Sequence, residues 1–149
     1  MNDLTIIITL IAIGYIAGTW AEKRHYRSIE KREREFLDLP AINIKNVDID
    51  DAKVKKAEIV YGGAVISVDY FKRILAGLRN IFGGAVKSYE SLIDRARREA
   101  LLRMKAMASD ATMIINVRIE TSTIGRKSHK KSVACLEAFA YGTAIYLEE

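Results

Sequence analysis

Soft-metal and redox chemistry require thiolate or imidazole groups, and this chain of 149 residues supplies one Cys and two His: Cys135, His25 and His129. They do not form a ligand set by spacing, because no C-x-x-C or H-x-x-x-H run exists and structural zinc takes four such donors. His129 lies in Arg126-Lys127-Ser128-His129-Lys130-Lys131, whose positive field opposes a cation. Cys135 sits mid-run among apolar residues and reads as a small buried hydrophobe. A single chain is therefore expected to hold no metal, and the metal-handling alternative requires a site shared between subunits. One thiol also excludes an intramolecular disulfide.

Anion chemistry has better candidates. Gly83 and Gly84 precede Lys87 and Ser88, where a helix N-terminus could present backbone N–H groups to a phosphate or carboxylate. The competing reading is that Gly-Gly only makes a tight connection. Arg118 and Glu120 share a polar strand face, in reach of Glu137, and are candidates to line an interior shared by several subunits. Nucleophilic or acid–base catalysis needs a nucleophile beside a base or a tuned carboxylate pair, and no spacing assigns those roles. The chain is expected to be neither an enzyme nor a cofactor carrier.

The elements that must position these groups begin with Leu4 to Trp20, LTIIITLIAIGYIAGTW, a run without charge, Asn or Gln. As a helix it would extend about 25 Å at roughly 1.5 Å per residue, the short end of what crosses a bilayer. A cleaved signal peptide is the rival, but its positive leading region is missing: Met1, Asn2 and Asp3 precede the run. Residues 1–21 are thus expected to form an uncleaved transmembrane helix. Lys23, Arg24, Arg27, Lys31, Arg32 and Arg34 follow it and no basic residue precedes it, so the N-terminus should lie outside and the rest in the cytoplasm. Gly14 and Gly18 form one small-xxx-small pair, equally explained by ordinary membrane composition.

Residues 22–53 form a charged segment ending in a linker. Tyr26, Ile29 and Phe36 keep helical spacing among i,i+4 pairs such as Glu30 with Arg34 and Lys31 with Glu35, predicting a solvated stalk helix. Pro40 ends it. Residues 54–149 then form the folded unit. Val54–Ile59 and Ala64–Tyr70 read as strands broken at Gly62-Gly63, Ser88 reads as the N-cap of a five-turn amphipathic helix, and Met113 to Ser122 alternates as a strand. Val133 to Leu147 is the last strand. Its residues Cys135, Phe139 and Tyr141 share one face and Ala134, Leu136, Ala138 and Ala140 the other. An α+β unit with one helix covers a single sheet face, so two apolar faces predict a homo-oligomer.

Charge is uneven. Between Lys72 and Lys131 there are 14 Lys and Arg against 5 Asp and Glu, although the whole chain carries only +5. Beneath a membrane such residues suit anionic lipid headgroups or an acidic protein partner. Nucleic acid is not expected, since no base-reading motif or aromatic groove accompanies the charge.

Three stretches carry a family resemblance: KRILAGLRNIFGGAVKSY from Lys72 to Tyr89, ESLIDRARREALLRM in the helix, and AFAYGTAIYL near the end. Together they resemble the YbjQ-like family, which bears a heavy-metal-binding label. The most specific parts are Gly77 to Asn80, Gly83-Gly84, Tyr89 and Ala140 to Ala144, and the resemblance spans about residues 54–147. It implies a dodecin-like β-α-β-β subunit that assembles as a pentameric ring, here with an added N-terminal membrane helix. It also brings Arg79 and Asn80 into the candidate ligand-binding set. The expected role is a membrane-anchored scaffold or small-ligand or anion binder facing the cytoplasm.

Overall fold

A computed structural model describes residues 3–45, 47–67, 87–124 and 135–148. Helix α1 (Asp3–Glu35) is followed by a short 3-10 turn (Asp51–Lys53), strand β1 (Val54–Ser67), helix α2 (Lys87–Met107), and strands β2 (Met113–Ile124) and β3 (Cys135–Leu147). The three strands form one antiparallel sheet in the order β1-β3-β2, with α2 packed on one face. This is the expected α+β arrangement of strand, helix, strand, strand.

Alternation along β3 makes the sheet two-faced. Leu136, Ala138, Ala140 and Ala144 point toward α2, whose Leu92, Ala96, Ala100, Met104 and Ala108 complete the core with Val60, Ala64, Ile66 and Ile114. Small residues on both sides let helix and sheet approach closely, so dispersion contacts substitute for large side chains. The small-residue face is therefore covered inside the subunit. Ala138 is fully buried there and is not available to a partner.

Two local features depart from the pattern read in the sequence. Gly62-Gly63 is not a break: β1 runs unbroken through both, pairing them with Ala140 and Phe139. Gly62 is there because α2 crosses it; a Cβ at this position would stand 2.4 Å from the Ala100 carbonyl oxygen and from the Met104 nitrogen. In β2 the simple alternation fails at a bulge, where two residues, Asn116 and Val117, sit opposite Gly142. Asn116 takes φ 52°, a left-handed conformation that Asn tolerates better than most residues. The extra residue brings both Ile114 and Ile119 onto the α2 face, opposite Ala144 and Ala140, in place of the odd-numbered Met113 and Ile115.

The chain before β1 is also part of this architecture. Ile114 N–H donates to the Pro40 carbonyl at 2.8 Å, Ile42 N–H to the Ile114 carbonyl at 2.9 Å, and Asn116 N–H to the Ile44 carbonyl at 2.9 Å. Residues 40–44 thus line the outer edge of β2 and satisfy its backbone groups. Helix α2 begins at Lys87, so Ser88 lies just inside the helix rather than at its cap. Segment 68–86, with Arg79, Asn80, Gly83 and Gly84, lies outside the described residues, as does 125–134 with His129.

Candidate functional site

The open face of the sheet is built from side chains of all three strands. Register places Tyr61 beside Tyr141 and Gly63 beside Phe139 on the β1 side, with Arg118 beside Tyr141 and Glu120 beside Phe139 on the β2 side. The rings form a continuous stripe: Tyr61 and Phe139 stack with centroids 5.9 Å apart, and Phe139 meets Tyr141 at 6.0 Å. Ile59 and Val65 extend it and are 74% and 59% exposed, with Phe139 at 40%. These side chains form one contiguous apolar surface on the sheet face opposite α2.

The two sequence candidates that fall on this face flank the stripe. Arg118 and Glu120 are both exposed, one residue apart along the β2 edge of the aromatic row. The expected reach to Glu137 is taken by another residue: Ser122 stands opposite Glu137 and its hydroxyl donates to the carboxylate at 3.1 Å. Lys87 and Ser88 belong to the first turn of α2, which packs on the opposite face of the sheet. The described residues therefore join Arg118 and Glu120 to the aromatic stripe and not to Lys87 and Ser88.

A second site was not expected. The charged stretch after the apolar run does not stand free as a solvated stalk: α1 continues through it and packs on α2, with Ile29 completely buried between them. Glu99 of α2 is buried and accepts hydrogen bonds from both terminal nitrogens of Arg32 on α1 and, at 2.9 Å, from Arg103 Nε. His25 Nε2 lies 3.8 Å from the same carboxylate. Arg103 also donates to the Gly63 carbonyl at 2.6 Å, tying this cluster to β1. Next to it Arg98 grips Glu33 with Nε at 2.7 Å and Nη2 at 2.6 Å, a bidentate pair. Tyr26 OH donates to the Ser91 carbonyl at 2.9 Å, and Lys105 Nζ to the Phe36 carbonyl at 3.0 Å.

Electrostatics at the junction follow from this crowding. Burial, and then the positive charge of Arg95, hold the His25 imidazole below its ordinary value, against a smaller upward pull from Glu99. Burial pushes Glu99 up, but hydrogen bonds from Arg32 and Arg103 outweigh it and leave the carboxyl below the usual range. The hydrogen bond from Arg98 does the same for Glu33. Tyr26, Ile29 and Phe36 at helical spacing were the sequence signal for this interface; the depth of Glu99 had none, since its neighbours on α2 are basic.

The donors among the described residues do not fit a metal within one subunit. No group of three or more His, Cys, Asp or Glu among the described residues could hold one. His25 faces Arg32, Arg95 and Arg103 beside its single carboxylate, and an added cation would meet net repulsion. Cys135 pairs across the sheet with Ser67 and Ile124, neither of which offers a soft donor.

Comparison with known proteins gives the family. A family model described as "Putative heavy-metal-binding", YbjQ, matches residues 42–148. A UPF0145 protein of Hahella chejuensis is 39% identical over 109 residues, covering 70% of this chain and 98% of the relative. A UPF0145 protein of Thermococcus kodakarensis is 42% identical over 93 residues, covering 61% and 76%. Among solved structures, a protein of unknown function from Pediococcus pentosaceus aligns with TM-score 0.43 and 16% identity, over 74% of this chain and 98% of that one. Helix α1 precedes the matched region, and the chain from residue 42 onward belongs to the YbjQ-like, UPF0145 family.

Proposed function

We propose that the protein is a single-pass membrane protein whose cytoplasmic domain assembles through the open sheet face into a homo-oligomeric ring, five subunits by the family resemblance. The ring is a scaffold or a small-anion binder, with Arg118 and Glu120 toward its shared interior. The observation that carries this reading is the exposed aromatic stripe of Tyr61, Phe139 and Tyr141 on a domain continuous with an apolar helix, none of whose spanning window is buried. Burying three aromatic side chains per subunit supplies the kind of anchor residues that dominate interface energies.

The test is the mass of the full chain in mild detergent by native mass spectrometry. The unmodified chain should be a closed oligomer, and Phe139→Asp should yield monomers with unchanged circular dichroism, because truncating a central anchor costs about 2 kcal/mol or more per contact. A monomeric unmodified chain sinks the proposal. Sidedness is checked in a Cys135→Ser background: an impermeant thiol reagent outside cells should label a Cys at Asn2 and spare one at Glu148. The opposite pattern would reverse the topology drawn from Lys23, Arg24 and Arg27.

The metal-handling alternative rests on the family's description, and its site would have to be shared between subunits. Elemental analysis of the same oligomer decides it: a stoichiometric metal lost on Cys135→Ala or His129→Ala would put that reading first.

A further inference from the structure

Helices α1 and α2 lie side by side and run in the same direction. Tyr26 reaches Ser91 and Asp94, Arg32 reaches Glu99, Glu33 meets Arg98, and Phe36 meets Lys105, so the separation in sequence stays between 65 and 69 along the whole contact. Subtracting that separation puts Lys87, the first residue of α2, level with residues 18 to 22 of α1. That is the height of Trp20, where the apolar run ends and Arg24 lies 5.6 Å over the indole ring. No Gly or Pro interrupts α1 between Ala21 and Glu35, so no hinge separates the membrane segment from the part packed on the domain.

The same geometry orients the sheet. The C-terminal end of α2 adjoins Met113 and Ile145, since the Thr112 N–H donates to the Ile145 carbonyl at 2.9 Å and Met113 pairs with Ile145. The N-terminal end of α2 therefore shares the opposite pole with Ser67, Ile124 and Cys135, which lie together at the other ends of the strands. Lys23, Arg24 and Arg27 are exposed along the first turns of α2, where the exposed acids are Glu90 and Asp94. The pole away from the membrane segment exposes both signs, Asp48, Asp50, Asp110 and Glu148 together with Lys53, Lys55 and Lys56.

We propose that the domain is held in one orientation against the bilayer, with the pole formed by the start of α2 and the ends of β1 and β2 resting on the anionic headgroups of the leaflet that α1 enters. This rests on the membrane-anchored reading above and adds which surface of the domain meets lipid. The rigid α1–α2 contact sets the approach, and Lys23, Arg24 and Arg27 supply the attraction, which is about 1 kcal/mol for each basic residue near an anionic surface. The opposite pole is kept on the far side, about 30 Å further along α2 at roughly 1.5 Å per residue.

The experiment uses the full chain in a Cys135→Ser background, reconstituted into phosphatidylcholine vesicles containing phosphatidylglycerol. Single cysteines at Glu90 and at Asp110 carry a fluorophore, and lipids spin-labelled at the headgroup act as quenchers. Trp20, the only Trp in the chain, reads insertion independently through acyl-chain-brominated lipids. The expected result is quenching several-fold stronger at position 90 than at 110, with the excess reduced by Lys23→Gln, Arg24→Gln and Arg27→Gln together. Equal quenching at the two positions, or stronger quenching at 110, while Trp20 is quenched overturns the orientation and leaves the anchor standing. An unquenched Trp20 overturns both. Lys53, on the far pole, serves as a second distal reporter should the Asp110 variant fold poorly.

Discussion

Replacing Gly62 with valine should abolish folding of the domain that follows α1, whereas Gly63→Ala should leave it nearly untouched. The two glycines are adjacent on β1 but point to opposite faces. A Cβ on Gly62 meets the Ala100 oxygen and Met104 nitrogen at 2.4 Å and the Arg103 Cβ at 2.8 Å, all atoms of α2 close to or within its backbone. Such atoms cannot swing aside, so α2 must lift from the sheet, uncovering Ala96, Ala100 and Met104, which are completely buried. Overpacking ordinarily costs about 1–3 kcal/mol; a clash with helix backbone that also opens the core belongs at or above the upper end. Since small domains are stable by only about 5–15 kcal/mol, and this one at the low end for its size, loss of the cooperative transition is expected. A Cβ on Gly63 finds its nearest neighbour, Phe139 Cδ2, at an ordinary 3.6 Å. Denaturant titration of the detergent-solubilised chain checks both, and a Gly62→Val protein with an unshifted midpoint would mean that α2 does not cross β1 here.

That contrast also shows what the sequence could and could not reveal. A Gly-Gly pair between two β-branched runs is what a turn looks like in one dimension, and the alternative, a strand made bare so that a helix can cross it, depends on a contact 40 residues away. The bulge at Asn116 escaped for a related reason. Alternation over Met113, Ile115, Val117 and Ile119 is a valid strand signal, but a single inserted residue reverses which members face the core, and only pairing with Gly142 reveals the insertion. By contrast, the α2 period and the two faces of β3 were legible because helix and strand repeats act locally. The open aromatic face could be anticipated from Phe139 and Tyr141 on one side of β3, and Tyr61 joined it only through the register with β1. The stalk was misread because charge outweighed three apolar positions. Its Arg32, Glu33 and His25 look solvated in sequence, and become interfacial only when α2 supplies Glu99 and Arg98 opposite them.

The second large effect is expected at that junction, where Glu99→Gln should cost about 2–3 kcal/mol and change how the protein responds to acid. Removing one member of a buried ion pair typically costs about 3–5 kcal/mol, because the partner is left charged without compensation. Here the figure is discounted, since the Arg32 and Arg103 side chains retain 31% and 55% exposure while Glu99 has 8%. What remains is the repulsion among Arg32, Arg95, Arg103 and any proton on His25, with no carboxylate among them. The sign of the pH dependence follows from the shifts. His25 is held below its ordinary 6.5, so the unfolded chain takes up that proton first and stability declines as pH drops below about 6.5. Glu99 and Glu33 are held below the ordinary carboxylate value of 4.5, so their contribution is intact above it and is lost as pH falls through their lower folded values. The two stages act in the same direction. In Glu99→Gln the lower stage should shrink while the upper one grows, because the one group that favoured protonated His25 is gone; in His25→Gln the upper stage should vanish. Unfolding midpoints of the full chain at about pH 7.5, 5.5 and 4, values bracketing the ordinary His and Glu ranges, decide the matter. Equal midpoints at the first two, or a Glu99→Gln loss below about 0.5 kcal/mol, the size of an ordinary surface change, would show that the cluster does not hold α1 to α2.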